Sequence, residues 1–138
     1  MIRGRVCRRF AALGDDRGSA AVEFVLVGVL LTALTLAVIQ LAFALHVKNT
    51  LLDAAAEGAR YSALAGNGPA DGALRTRQLI TTAVGPDYAT GVTAGYADYL
   101  GAPATQVTVL APLPLAGPFG PARSLEVVGH ASVESIAR

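Results

Sequence analysis

The sequence predicts an α+β chain: a long N-terminal transmembrane helix extended into a small exported domain with a short helix and an antiparallel β-hairpin. Three observations predict it. Phe24 to Leu45 is a run of 22 residues without a formal charge, broken in its apolar character only by Gly28, Thr32, Thr35 and Gln40. Past that run, Val47, Leu51, Leu52, Ala55, Ala59 and Ala63 keep a helical spacing, with Lys48, Asp53, Glu57 and Arg60 set around them. The C-terminal third changes period: Gln106 to Leu110 and Ser124 to Val133 alternate and are rich in β-branched residues.

Composition points to lipid as well. Of the 138 residues 53% are hydrophobic and 15% charged, too apolar for an ordinary soluble domain. A bilayer core of ~30 Å needs ~20 helical residues, which the 24–45 run supplies. Helix is the one way a single segment can satisfy its backbone there. Arg3, Arg5, Arg8, Arg9 and Arg17 precede the run, while the thirty residues after it hold only Lys48, Arg60 and Arg75. By the positive-inside rule the N-terminus is cytoplasmic and the chain beyond Leu45 extracytoplasmic.

The expected organisation is a leader at 1–18, a long helix at 19–65 that is transmembrane at about 23–45, and an exported α+β domain at 66–138. Ala42-Phe43-Ala44 also fits the end of an ordinary secretory signal, but such apolar regions run ~7 to 15 residues, shorter than this one.

Charge and cysteine usage exclude several classes of function. From Ser19 onward there are six basic and eight acidic residues, a net of −2, which disfavours a surface that neutralises nucleic-acid phosphates. No nucleic-acid partner is expected. Cys7, the single cysteine, lies in the basic leader, so neither an internal disulfide nor a cysteine metal site can form. His46 and His130 are unclustered, and no nucleophile stands with a base in the sequence. No phosphate-cradling glycine loop occurs. The expectation is no enzyme, no catalytic residue, no metal and no cofactor.

Asp16-Arg17-Gly18-Ser19-Ala20-Ala21-Val22-Glu23-Phe24 carries the most information. A basic leader ends in glycine, small residues follow, and an acid stands five positions after the glycine. Small residues let an extended backbone enter a protease cleft, and the leader's charge keeps the bond at the cytoplasmic face. Together with Glu57-Gly58-Ala59-Arg60 beyond the span, this segment resembles the TadE-like family, pilin-like proteins of tight-adherence pilus systems. The resemblance covers about residues 16 to 60. It implies a minor pilin or pseudopilin acting in pilus assembly or adhesion, cut by a prepilin peptidase between Gly18 and Ser19. Glu23 and Phe24 would then serve processing or assembly, and Glu57, Gly58, Ala59 and Arg60 form the family motif after the span. The implied partners are the peptidase, other pilin-like subunits, the pilus assembly machinery and membrane lipid; the implied location is the cell membrane, single-pass, with a surface pilus as a further destination. Two departures stand out: Gly28 and Val29 occupy the region where the family often has a proline, and Ala56 stands where arginine is common.

Glu23 keeps three readings: a carboxylate that snorkels to the headgroups, a residue required by the peptidase, or a partner for the freed Ser19 amine of a neighbouring subunit. A membrane-tethered binding or adhesion module outside any pilus is the alternative function.

In the exported part, Gly66-Asn67-Gly68-Pro69 is expected to end the long helix. Asp71 to Val84 reads as a short amphipathic helix with Leu74, Leu79, Ile80 and Val84 inward and Arg75, Arg77 and Gln78 outward, closed by Gly85-Pro86. Residues 87–104 read as ambiguous, with Tyr88, Tyr96 and Tyr99 able to cover a sheet. Prolines 112, 114, 118 and 121 mark a surface loop between the two hairpin strands.

Overall fold

The computed structural model describes residues 16–113 and 124–133. The leader as far as Asp15 and the prolines at 114, 118 and 121 lie outside the described residues. The architecture is α+β: helix α1 (Asp16–Ala63), helix α2 (Pro69–Ala83), a 3-10 turn (Pro86–Ala89), and strands β1 (Gly91–Tyr99), β2 (Ala102–Pro112) and β3 (Ser124–Ser132). The chain divides into two units, Met1–Ala37 and Val38–Arg138, and α1 contributes to both.

The described part of the first unit is helix alone. Its large apolar side chains, from Val22 and Phe24 to Leu36, face outward. The helix is long and apolar enough to cross a membrane, and none of its most apolar window is buried inside the chain. The two hydroxyls in the run are bonded locally: that of Thr32 donates to the Gly28 carbonyl and that of Thr35 to the Leu31 carbonyl, each at 2.8 Å. Such bonds let hydroxyls sit in hydrocarbon without an unmet donor.

The second unit is built around the C-terminal half of α1. Val47, Leu51, Ala54, Ala55 and Ala59 are buried on one stripe and meet Ala73 and Ile80 of α2 and Val92, Val107, Val109, Ala111 and Val127 of the sheet. Val47, Leu51 and Ile80 are fully buried, each by about 1.5–3 kcal/mol more stable inside than in water.

The sheet is an antiparallel meander in the order β1-β2-β3. The expected hairpin is its β2–β3 pair, in register from Ala104↔Ser132 to Pro112↔Ser124. The third strand comes from the ambiguous segment, with β1 pairing β2 from Gly91↔Leu110 to Tyr99↔Ala102. Glycine and alanine at 91, 94, 95 and 97 hide its strand character in the sequence, while the pairing explains one of them: a side chain at Gly91 would strike Leu110. Pro112 belongs to the end of β2 and not to the loop, a terminal position where a missing N–H costs little. On β2 the residues Thr105, Val107, Val109 and Ala111 face the helices, and Gln106, Thr108 and Leu110 face away.

At the end of α1 Gly66 takes φ +91°, and Asn67 donates through its side chain to the Tyr61 carbonyl at 2.9 Å. Pro69 starts α2 instead of merely stopping α1, with the Asp71 carboxylate accepting from the Gly68 N–H at 2.9 Å. The buried face of α2 also differs from the apolar pattern. Gly72, Ala73, Thr76 and Ile80 are buried while Leu74 is 54% exposed, because close approach to α1 selects small residues over large ones. Arg77 is exposed as expected, and its guanidinium donates to the Val92 carbonyl of β1 at 2.7 Å.

Candidate functional site

The residues singled out from the sequence fall into two groups on α1, one in each unit. Gly18, Ser19, Glu23 and Phe24 all lie in the first turns of the helix and are exposed. Ser19 and Glu23 are four residues apart, so their side chains share one face. The space around Gly18 is open, with nothing within 4 Å of where a Cβ would stand.

Glu57-Gly58-Ala59-Arg60 is divided between interior and surface. Gly58 and Ala59 are buried; Arg60 and Glu57 point outward, with Nε to Oε2 at 3.7 Å and side-chain exposures of 69% and 47%. Such a pair contributes ~0–1 kcal/mol, so it does not hold the fold. The interior half does. A Cβ at Gly58 would collide with Thr76 Oγ1 and the Gly72 carbonyl, and one at Gly72 would collide with the Gly58 carbonyl and Ser62. Two helical glycines therefore face each other where α1 crosses α2, and the backbones meet without side chains between them.

Hydroxyls tie the crossing. Thr76, fully buried, donates to the Gly72 carbonyl at 2.9 Å and lies 3.3 Å from the Ala54 carbonyl of α1. Thr105 of β2 donates to the Ala59 carbonyl at 2.9 Å, and Ser62 to the same carbonyl at 2.8 Å. On the sheet side, Gly129 of β3 passes so close to the backbone of Ala55 and Ala56 that no side chain would fit. Sequence reading missed Gly72, Thr76, Thr105 and Gly129. The one available signal was glycine inside an amphipathic helix, which calls for a packing reason.

His46 is exposed at the surface of α1. His130 stacks on Tyr99 with ring centroids 4.4 Å apart and planes 18° from parallel. Among the described residues no three His, Cys, Asp or Glu side chains gather as metal ligands would.

A helix with an acid near its start, long enough for a bilayer and closed by a Gly-Ala pair docked on a small domain, is an arrangement specific enough to compare. Residues 18–60 match the family of TadE-like proteins. The match takes in the first turns, the whole apolar run and the glycine crossing on α1, and stops before α2. No curated protein and no solved structure gives a significant match. Residues 18–60 are thus similar to TadE-like proteins, pilin-like proteins of tight-adherence pili, and among the described residues one N-terminal helix is long and apolar enough to cross a membrane.

Proposed function

We propose that the chain is a minor pilin or pseudopilin of a tight-adherence pilus, inserted with its N-terminus in the cytoplasm and cut between Gly18 and Ser19 by a prepilin peptidase. The observation that carries this reading is the TadE-like match over 18–60, which joins the Gly18-Ser19 junction and Glu23 to an apolar helix in one segment. Gly18 lies two residues inside α1, so the peptidase must unwind the first turn to reach an extended bond. Glycine costs a helix ~1 kcal/mol relative to alanine and helix ends fray, which makes that unwinding cheap here.

Cleavage would place a new amine at Ser19, with a reference pKa of ~7.7 to 8.0 and hence mostly protonated at neutral pH. A cation at a helix N-terminus opposes the macrodipole, and Glu23 one turn on relieves it, either in the same chain or in a neighbour whose Glu23 is brought alongside. The exported domain then presents the docking surfaces of the subunit, and lipid and the other pilus subunits are its partners.

N-terminal sequencing of protein from cells with and without prepilin peptidase tests the reading. It expects a start at Ser19 in the first and an intact leader in the second. A leader that survives in cells with active peptidase sinks it; a start at Leu45 would mean ordinary secretion.

A further inference from the structure

Two anomalies coincide at the β1–β2 turn. Leu100 and Gly101 form a two-residue turn with φ +53° and +81°, the geometry of a type I′ hairpin. That geometry favours Asn, Asp or Gly at its first position, and a leucine there is uncommon. The same leucine is 91% exposed, flanked by the exposed Tyr96 and Tyr99 and by Asp98. A residue that is unfavourable for the backbone and apolar in water has no reason in the fold of a single copy.

Within the second unit the tip stands well away from Leu45. Thr105 is bonded to Ala59, and the turn lies further still from Leu45, where the apolar run ends. Fourteen helical residues between Leu45 and Ala59 already span about 20 Å.

Beside the tip, the same unit holds a cleft of about 480 Å³ between α1 and the edge of β3 that is unpaired among the described residues. Its floor is Ala56, Ala63, Leu64 and Ala131, and its rim carries Arg60 and His130. The knob is apolar with an adjoining acid, Asp98; the hollow is apolar and its rim carries one guanidinium, that of Arg60, only loosely spaced from Glu57 at 3.7 Å. His130, stacked on Tyr99, links the two regions into one continuous surface.

We infer that the β1–β2 tip of one copy seats in the α1/β3 cleft of a second copy, Leu100 on the apolar floor and Asp98 toward Arg60, and that the exchange is reciprocal. Adjacent, complementary patches on one surface are what a two-fold contact requires, since each copy then gives a knob and receives one. A two-fold axis along the membrane normal keeps both helices inserted in the same direction. Tethering in one bilayer raises the effective concentration, so a small contact suffices. The contact rests on the proposed subunit role in one respect, that copies share a membrane.

The test is the stoichiometry of the full chain in detergent micelles, measured by light scattering across a dilution series. Wild type is expected to be a dimer. Leu100→Asn relieves the backbone and removes the knob, so at dilutions where both chains are monomeric it should melt no lower than wild type, and it should weaken the dimer about tenfold per tip, about a hundredfold in all. Asp98→Arg and Arg60→Asp should each weaken it, and the double variant D98R/R60D should restore it. A monomeric wild type, a dimer indifferent to L100N, or a double variant no better than its singles overturns the contact. The N-terminal mass of the same preparations keeps the two readings apart: an uncut leader on a reciprocal dimer sinks the subunit role alone, and a cut chain that stays monomeric sinks the contact alone.

Discussion

Gly58 is the residue on which the TadE-like match and the fold meet, because it lies in the matched segment and at the closest point between α1 and α2. Gly58→Ala should lower stability of the exported domain by about 1–3 kcal/mol through overpacking, read as a fall in melting temperature. Thr76→Ala in the same chain should recover part of that loss and not all of it, since the Gly72 carbonyl still stands in the way of the new methyl. At dilutions where the chain is monomeric, Glu57→Gln or Arg60→Gln should leave the melt within about 0.5 kcal/mol of wild type, because the pair is exposed and loosely spaced. Leu51→Ala, which empties a fully buried position, should cost about 2–5 kcal/mol. Nothing in Glu-Gly-Ala-Arg as a string separates its inner half from its outer half; that division depends on Gly72 and Thr76, contributed by a different helix.

At the level of elements, period was the readable quantity. The long helix showed itself through an uncharged run and a continuing stripe, and β2 and β3 through alternation of branched residues. β1 lacked both signals, since small residues at 91, 94, 95 and 97 carry no alternation, and it exists because β2 offers it nine paired positions. Leucine at 74 misled for the opposite reason: size predicts burial only when there is room, and a glycine-lined crossing leaves none. For the apolar half of α1, Leu34→Arg places a charge mid-run at a cost of ~2.5 to 3.5 kcal/mol. The expected result is a larger fraction released by alkaline carbonate washing, against full retention of wild type.

Considered as a molecule, the chain has the buried residues of its described part within one of its two units, from Val47 onward. A fragment starting at His46 therefore holds every buried side chain of the described fold. It should unfold cooperatively by circular dichroism, with a midpoint that Leu51→Ala lowers. Composition was enough to read a helix long and apolar enough to cross a bilayer, because that depends on counts along the chain. The glycine crossing and the exposed Leu100 turn were not legible, since both depend on what pairing brings within reach.

The hydroxyls of Thr32 and Thr35, turned back onto carbonyls of their own helix, carry a last consequence. With those protons already committed, the two hydroxyls can only accept from a neighbouring helix, not donate to it. An aliphatic neighbour, which has no donor to offer, is then met at Thr32 and Thr35 by shape alone.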